Sequence, residues 1–377
     1  MPDTRSRQSR HRRKVETLLE HTDIQLNGDR PWDIHVKDSR FYKRVLTQGS
    51  LGLGESYMEG WWESDQIDEL IARILTAGLD RKVVARVLAF DLLEAMLLNM
   101  QNRTRAWIVG QQHYDVGNDL YQRMLDTNMV YSCGYWKSAE TLDAAQEAKI
   151  DLVCRKLQLQ PGMRVLDIGC GWGGAAKYVA EHYGCSVVGV TVSEEQQRYG
   201  QELCRGLPVE IRLEDYRDIQ ESFDRVYSIG MFEHVGYRNY RRFMETVHRL
   251  LPEHGLCVLH TIGGNRSVHA TEPWLNRYIF PNGMLPSVRQ IGDATEELFV
   301  MEDWHNFGPH YDTTLMHWFQ NFEAAWQELA PRYGERFYRM WKYYLLSCAA
   351  SFRVRKNQLW QVVLSVNGAP AGYEAPR

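Results

Sequence analysis

An aspartate followed by a run of glycines is the stretch of this chain with the clearest chemical meaning. Residues 164–174 read Arg-Val-Leu-Asp-Ile-Gly-Cys-Gly-Trp-Gly-Gly, and the acid is Asp167. The apolar residues around it predict a buried parallel strand, and the glycines after it predict a tight loop that opens a helix. Because the backbone N–H groups at a helix start point into such a loop, the sequence predicts a ligand site at this turn.

Two classes of ligand compete for this loop. Gly169, Gly171 and Gly174 match the spacing of the dinucleotide fingerprint. However, the Asp167 carboxylate would face a bound pyrophosphate at close range and repel it. S-adenosylmethionine carries an ammonium and a sulfonium group and no phosphate, so we interpret the loop as a site for this methyl donor.

The end of the next predicted strand favours the same interpretation. A nicotinamide enzyme needs an acid there, about 20 residues beyond the glycines, to hold the ribose hydroxyls. Here the residue is Thr191, and Glu194 and Glu195 follow in what we expect to be the first turn of a helix capped by Ser193. The dinucleotide alternative is therefore weakened.

Strand and helix patterns alternate beyond residue 164 at the spacing of a doubly wound α/β sheet. Further strands are predicted at 186–191, 209–213, 225–229, 255–261, 298–304 and 359–366. In such a sheet, ligands gather at the carboxyl ends of the strands. The predicted ends carry these candidate site residues: Asp167, Thr191 with Gln196, Tyr216 with Arg217, Glu233 and His260.

Length and composition narrow the class of protein. A chain of 377 residues exceeds one typical domain, so we expect a small N-terminal domain over 1–100 and a catalytic domain over 101–377, with a boundary in the polar stretch 99–105. The 44 basic and 48 acidic residues give no global charge that would attract nucleic acid. Seven cysteines, an odd number without regular spacing, suit a reducing cytoplasm. No apolar run is long enough to span a bilayer.

Several other chemistries are disfavoured by the absence of their motifs. The histidines and cysteines show neither Cys-x-x-Cys pairs nor His-Glu-x-x-His spacing, so we expect no metal site. Gly-x-Ser-x-Gly is also absent, which argues against a serine hydrolase with a nucleophile elbow.

The N-terminal region carries features that could meet a membrane or a second subunit. Residues 1–14 contain six basic residues and one acid, and we expect a disordered tail or, alternatively, an arm attracted to anionic lipid headgroups. Met58, Trp61 and Trp62 lie in a predicted helix, where we favour core packing over contact with lipid or a partner subunit.

Aromatic residues recur at helical spacing near the C-terminus, and they predict a helical cover over the strand ends. The seams of such a cover are expected to pack in a core. The two seams are Trp318, Phe319, Phe322 and Trp326, and then Phe337, Trp341 and Tyr344.

Several motifs together resemble the cyclopropane-fatty-acyl-phospholipid synthases, within the cyclopropane fatty acid and mycolic acid cyclopropane synthase family. The resemblance covers nearly the whole chain, including an N-terminal domain that the mycolic acid enzymes lack. Its most specific parts are Ser228-Ile-Gly-Met-Phe-Glu-His and His260-Thr-Ile-Gly-Gly264. Further matches are the glycine loop, Gly189-Val-Thr-Val-Ser193, Asp215-Tyr-Arg-Asp218, Tyr131-Ser-Cys133, His310-Tyr-Asp-Thr-Thr314 and Ser347-Cys-Ala-Ala-Ser-Phe-Arg353.

The resemblance implies a class I S-adenosylmethionine-dependent methyltransferase, with a Rossmann-like seven-stranded sheet, a helical cover and a small, mostly helical N-terminal domain. The implied reaction adds a methylene unit across a cis double bond of a phospholipid acyl chain and releases S-adenosylhomocysteine. An isolated alkene is a poor nucleophile, so it must be held dry and in contact with the sulfonium methyl. The resulting carbocation closes to a ring only after the new methyl loses a proton.

For the base, the resemblance implies a bicarbonate ion. It would be held by the side chains of Cys133, Glu233, His260 and Tyr311 and by the backbone amide of Ile262. Glu233 and His260 would orient the ion and tune its basicity through hydrogen bonds. The residue types alone show only polar groups at loops and strand ends, each of which could equally be a structural polar group.

The resemblance also implies the contacts of the methyl donor. Ser132 and Tyr131 would lie beside its carboxylate, and Thr191 and Gln196 would meet the ribose. Gly169, Gly171 and Gly173 would lie under the methionine moiety, and Tyr216 and Arg217 would flank the adenine, where the mycolic acid enzymes have tryptophan and glutamate.

Two further residues are weaker candidates for the catalytic site. Glu302 is either a second polar contact near the site or a solvated strand end, and we favour the strand end. Cys348 matches a cysteine with an assigned active-site role in the family, but the chemistry needs no thiolate nucleophile. Since we expect Cys348 to lie on an apolar helix face, we interpret it as a packed side chain.

We therefore expect a cytoplasmic enzyme that binds reversibly to the inner face of the membrane and forms a homodimer. Two alternatives stay open. One is a methyltransferase for a small soluble acceptor, and the other is a lipid-binding protein that has kept the cofactor fold without turnover.

Overall fold

The structure is a computed structural model that describes residues 4–80 and 117–377. The predicted boundary at 99–105 lies outside the described residues. The described strands are β1 (His35–Val36), β2 (Trp62–Glu63), β3 (Arg164–Ile168), β4 (Ser186–Thr191), β5 (Val209–Leu213), β6 (Arg225–Ile229), β7 (Leu256–Gly264), β8 (Val300–Asn306) and β9 (Asn357–Ser365).

The described α-helices are numbered in chain order. They are α1 (Thr4–Leu19), α2 (Arg40–Met58), α3 (Ile67–Thr76), α4 (Asn118–Met124), α5 (Leu142–Lys156), α6 (Gly174–Tyr183), α7 (Glu194–Leu203), α8 (Tyr240–Leu250), α9 (Pro273–Tyr278), α10 (Val288–Thr295) and α11 (Pro309–Arg353).

Strands β3 to β9 form one seven-stranded sheet in the order β5-β4-β3-β6-β7-β9-β8. The first five of these strands run parallel, and β9 runs antiparallel to both of its neighbours. All seven predicted strands are present, so the predicted α/β fold with a Rossmann-like sheet is confirmed.

The central strands are buried on both faces, as expected for a parallel sheet between helices. Val165, Leu166 and Ile168 of β3 are fully buried, and they divide between two apolar clusters on opposite faces of the sheet. Because β3 has this double cover, its carboxyl end is a rigid platform for the glycine loop.

Contacts between Cα atoms divide the chain into two compact units. Unit 1 comprises the described residues 4–80 together with Ala270–Pro281 and Leu315–Lys356. Unit 2 comprises the described residues 117–269 together with Asn282–Thr314 and Asn357–Arg377. These units are defined by contacts, and each combines segments that are distant in the sequence. The domain division at residue 100 therefore stays a prediction.

Unit 1 begins with a helix where we expected a disordered tail. The basic segment is helical from Thr4, and the helix α1 places Val15 and Leu19 in the core of unit 1. Of the three apolar residues near the end of α2, Met58 and Trp62 are buried, with Trp62 5.0 Å from the Tyr57 ring. Core packing is therefore confirmed for these two side chains.

Helix α11 carries the two aromatic seams, and it is interrupted at Gly334, which has a φ of 72°. The rings pack against one another within unit 1: Phe322 lies 5.4 Å from Trp326, and Phe337 stacks on Trp341 at 5.5 Å. The helical prediction is confirmed. Core packing is confirmed for four of the seven rings, Trp318, Phe322, Trp341 and Tyr344, whereas Phe319, Trp326 and Phe337 are half-buried.

Candidate functional site

The glycine loop leaves β3 in a backbone conformation that only glycine adopts readily. Gly169 has a φ of 83°, and a Cβ atom at this position would lie 2.6 Å from the Cβ of Met231. The loop therefore passes close to the turn that follows β6. At Gly171, by contrast, a Cβ would meet nothing within 4 Å, so this part of the loop is open to the approach of a ligand.

Asp167 is buried at the carboxyl end of β3, and its Oδ2 atom has no hydrogen-bond partner among the described residues. Burial raises the pKa of Asp167 to about 7, although the nearby Tyr227 hydroxyl and the charge of Lys149 oppose the rise. A buried carboxylate with a free oxygen is a suitable partner for an ammonium group.

Binding of S-adenosylhomocysteine at about pH 6 is expected to release close to one proton from Asp167. At that pH the carboxyl is mostly protonated in the free protein, whereas an ammonium partner favours its ionised form. Affinity should therefore rise as the pH rises towards 7 and level off above it. Calorimetry in buffers of different ionisation enthalpy measures the released proton.

Asp167→Asn is the control, because the amide cannot titrate and the release should disappear. If the wild-type protein binds the ligand with the same heat in every buffer, Asp167 does not meet an ammonium group.

Thr191 and Gln196 lie together at the end of β4, as predicted. The Thr191 hydroxyl donates a hydrogen bond to the Gln196 side chain at 2.7 Å, and both residues are buried. Ser193 caps α7, accepting a hydrogen bond from the Gln196 backbone N–H at 3.3 Å. Hydroxyl and amide groups are thus fixed where ribose hydroxyls are expected.

Tyr216 and Arg217 occupy a short 3₁₀ turn after β5. The Tyr216 ring packs in the core, 5.2 Å from Phe243, and the Arg217 Nε donates to Asp215 at 2.8 Å. Both side chains therefore have structural contacts, and their role beside the adenine stays a prediction.

Glu233 is buried in the turn after β6, and its two carboxylate oxygens differ. Oε1 accepts a hydrogen bond from the Ile262 backbone N–H at 2.7 Å, whereas Oε2 has no partner among the residues described. Burial raises the pKa of Glu233 to about 7. The Ile262 amide, which the resemblance assigns to bicarbonate, thus donates to Glu233 in this structure.

His260 lies on β7, beside Gln361 of β9 in the sheet register. The Gln361 side-chain Nε2 is 3.3 Å from Nδ1 of His260, and the imidazole Nε2 has no partner within the described part of the chain. Burial lowers the pKa of His260 well below its usual value, and the charges of Lys149 and Lys156 lower it further. With the Gln361 NH₂ group as the donor, Nδ1 accepts, and the proton of the neutral ring lies on the free Nε2.

Cys133 and Tyr311 belong to two segments of unit 2 that hydrogen bonds join. Thr314, on the same helix as Tyr311, accepts a hydrogen bond from the Gly134 backbone N–H at 3.0 Å, and its hydroxyl lies 3.9 Å from the Cys133 sulfur. Burial raises the pKa of the Cys133 thiol far above its usual value, so this group stays protonated.

Ser132 and Tyr131 precede Cys133 on the same loop. The Ser132 hydroxyl accepts a hydrogen bond from the Lys149 ammonium at 2.7 Å. The Tyr131 ring lies 5.2 Å from Tyr121, which in turn lies 4.8 Å from Trp172 of the glycine loop. This loop is therefore linked through aromatic contacts to the predicted cofactor turn.

Glu302 and Cys348 have surroundings of their own. Glu302 accepts hydrogen bonds from the Ser365 hydroxyl and, at 2.8 Å, from the Ala369 backbone N–H, near the start of β7 and not at its carboxyl end. Cys348 belongs to unit 1, where burial raises its pKa to about 12. A catalytic role for either residue stays a prediction.

Sequence reasoning missed Lys149 and Gln361. Both are fully buried polar side chains. The signal that could have revealed Gln361 is its place among the aliphatic residues of β9. Lys149 gave no such signal, because lysine on an amphipathic helix is usually exposed.

Across residues 4–80 and 117–377, no group of three or more His, Cys, Asp or Glu side chains is placed to hold a metal ion. No helix in the described part of the chain combines the length and the apolar character needed to cross a membrane.

The family model for mycolic acid cyclopropane synthetase matches residues 101–362. The cyclopropane-fatty-acyl-phospholipid synthase of Escherichia coli strain K12 is 56% identical over 354 residues, which cover 94% of this chain and 93% of that protein. This similarity includes most of the N-terminal region, as the motifs had indicated.

Solved structures agree with the fold. A crystal structure of a mycolic acid cyclopropane synthase complexed with SAH and CTAB is 33% identical, with a TM-score of 0.65, and covers 69% of this chain and 98% of that chain. Coclaurine N-methyltransferase bound to N-methylheliamine and SAH is 25% identical, with a TM-score of 0.69, and covers 83% of this chain and 98% of that chain. Taken with the sheet order and the glycine loop, these matches show that the chain belongs to the mycolic acid cyclopropane synthetase family of class I S-adenosylmethionine-dependent methyltransferases.

Proposed function

We propose that this enzyme transfers a methylene unit from S-adenosylmethionine to a cis double bond of a phospholipid acyl chain, forming a cyclopropane ring. The observation that carries the proposal is a set of buried, incompletely partnered polar atoms at neighbouring strand ends. These atoms are Asp167 Oδ2, Glu233 Oε2 and His260 Nε2. The similarity to the E. coli synthase supports the choice of substrate.

The strands that carry these atoms are direct neighbours. The Ser228 hydroxyl donates to the Ile168 carbonyl oxygen at 2.9 Å, and the Gly230 backbone N–H donates to the His260 carbonyl oxygen at 2.9 Å. A cofactor group held at Asp167 and an anion held at His260 would therefore lie along the same edge of the sheet.

The chemistry needs a dry site with electron-rich walls. Phe307 and Tyr135 are buried in unit 2, and their rings lie 5.1 Å apart. The Phe307 ring is 5.9 Å from the His260 ring. Aromatic faces stabilise a nearby cation by about 0.5–2 kcal/mol, and their bulk excludes the water that would trap it.

The free atoms of the site fit a bicarbonate ion. Glu233 Oε2 can accept a hydrogen bond from the hydroxyl of the ion, while His260 Nε2–H can donate to one of its oxygens. We infer that these two residues hold the ion, with Cys133 and Tyr311 as the further contacts that the family resemblance implies. The Ile262 amide, which the resemblance also assigns to the ion, instead holds Glu233 in place through the hydrogen bond to Oε1. When bound, bicarbonate would supply the proton acceptor for the transferred methyl group.

Incubation of the enzyme with S-adenosylmethionine and vesicles of cis-unsaturated phospholipid tests the proposed function. Mass analysis should show lipid that has gained one CH₂ and lost its alkene. Methylation of a soluble compound would support a small-acceptor methyltransferase instead. Tight lipid binding without transfer would support a lipid-binding protein.

A surface of unit 1 is suited to the membrane contact that this substrate requires. Arg10, Arg13 and Lys14 of α1 are exposed, and they line an open groove together with Leu18 and Leu46. We propose that this basic groove binds anionic headgroups at the inner face of the membrane, since each basic residue near such a surface contributes about 1 kcal/mol.

Neutralising this groove with Arg10→Gln, Arg13→Gln and Lys14→Gln is expected to weaken binding to anionic vesicles by about 10-fold or more at low salt, and by less at high salt. The matched control neutralises Arg198, Arg205 and Arg289, which are also exposed. These three substitutions remove the same amount of positive charge. Vesicle sedimentation measures both. An equal loss of vesicle binding in the two triple variants would show that the groove is not the headgroup-binding surface.

A homodimer is the remaining part of this proposal. Sedimentation of the purified chain tests it.

A further inference from the structure

Lys149 is a fully buried cation that the reaction described above does not use. It lies on α5, and its ammonium donates a hydrogen bond to the Ser132 hydroxyl at 2.7 Å. This is the one hydrogen bond that the ammonium makes among the described residues, although the group has three N–H donors. A buried charge with spare donors is costly unless a ligand completes its contacts.

The nearby acids do not fully neutralise this ammonium. Asp126 is one of them, but its carboxylate accepts hydrogen bonds from the backbone N–H groups of Asn128 and Val130, at 3.0 and 2.9 Å. Asp167 is the other, and its Oδ2 is free. Burial lowers the pKa of Lys149 to about 8, so the amine still carries its proton at neutral pH.

The hydrogen bond from Lys149 decides what Ser132 can do. Since the Ser132 oxygen accepts from the ammonium, its own proton is directed at a different acceptor. The backbone around Ser132 is fixed, because the Gln146 side chain donates to its carbonyl oxygen at 2.6 Å. Ser132 also lies close to Gly230, since a Cβ built on Gly230 would be 3.8 Å from the Ser132 Cβ. Gly230 belongs to the turn that follows β6, and β6 is a direct neighbour of β3 in the sheet.

We propose that Lys149 is a positioning residue for the cofactor: it polarises Ser132 to bind the α-carboxylate of the methionine moiety, while Asp167 binds the α-ammonium. This inference rests on the proposed cofactor site. A buried cation and a buried anion, each with unused hydrogen-bonding capacity, match the two charges of an amino-acid head group. A ligand with a single charge would leave one of them without a partner.

Lys156 offers a matched control on the same helix. It is also fully buried, but its ammonium is 3.1 Å from the Asp303 carboxylate and 3.3 Å from Nδ1 of His305. Its partners are therefore side chains of the protein itself, and it should contribute to stability without recognising the cofactor.

The test compares two ligands of the full-length enzyme by calorimetry. S-adenosylhomocysteine carries the amino-acid head group, whereas 5′-methylthioadenosine lacks it. Lys149→Met should weaken binding of S-adenosylhomocysteine by about 10- to 100-fold and binding of 5′-methylthioadenosine by less than about 3-fold. Lys156→Met should leave the ratio of the two affinities unchanged.

Ser132→Ala provides the second arm, and it keeps the inference testable if Lys149→Met does not fold. It should produce the same selective loss, and the double variant should lose little more than either single one, because both remove one linked contact. An unchanged affinity ratio in Ser132→Ala or in folded Lys149→Met would overturn the inference. So would a Lys149→Met enzyme that binds S-adenosylhomocysteine normally but needs more bicarbonate. If the wild-type enzyme bound neither ligand, the proposed cofactor site itself would be wrong.

Discussion

Glu233→Gln is expected to lower kcat by about 10²- to 10³-fold while leaving the affinity for S-adenosylhomocysteine within about 3-fold of wild type. The substitution keeps the volume of the side chain and can still accept the hydrogen bond from the Ile262 amide. It replaces the free Oε2 with an NH₂ group, which cannot accept the hydrogen bond that orients the base. Steady-state rates with vesicles and calorimetry with the cofactor product give the two numbers.

Glu55→Gln is the matched control for this experiment. Glu55 is a buried carboxylate in unit 1, and it accepts a hydrogen bond from the Tyr278 hydroxyl at 2.8 Å. We expect this change to affect stability and not kcat per folded molecule. Normal turnover by Glu233→Gln, or a parallel loss of cofactor affinity, would remove Glu233 from the base site.

Gly169→Ala is expected to have the largest effect on stability, lowering the free energy of unfolding by about 2–4 kcal/mol. The new Cβ would lie 2.6 Å from the Cβ of Met231, at a φ of 83° that disfavours any side chain. The glycine loop must then move away from the turn after β6, so binding of S-adenosylhomocysteine should also weaken, by about 10-fold or more. Denaturant unfolding and calorimetry measure the two effects.

Gly162→Ala is the control that separates the effect of backbone strain from that of the clash with Met231. Gly162 has a similar φ of 87°, but a Cβ there would meet nothing within 4 Å. This variant should lose only about 1–2 kcal/mol and keep its cofactor affinity. If the two variants behaved alike, the close approach of the loop to Met231 would have no energetic consequence.

The strands of the parallel sheet could be predicted closely because their signal is local. The bounds predicted for β4, β5 and β6 coincide with those observed. The end of β7 could not be predicted, since it continues to Gly264 where a distant ring sets the packing. A Cβ on Gly263 would lie 2.0 Å from the Trp360 side chain, a contact that no local pattern contains.

Some residues of the candidate site could likewise be predicted from local patterns, and others could not. Asp167, Glu233 and His260 could be predicted, because polar residues at the carboxyl ends of parallel strands converge on one edge. Lys149 could not, because its burial depends on a hydrogen bond to Ser132 on another segment. The same limit applies to α1, where burial of Val15 and Leu19 stabilises a helix in a segment whose charge suggested a disordered tail.

If the proposed function is correct, this site removes a proton from a methyl group that it has just transferred to a lipid. The most direct test gives the enzyme S-adenosylmethionine with three deuterium atoms on the methyl carbon, together with vesicles of a cis-monounsaturated phospholipid. Mass spectrometry of the lipid should show a product that lacks the alkene and retains two of the three deuterium atoms. A lipid that keeps all three in a methyl branch, or label found only on a soluble compound, would contradict the account.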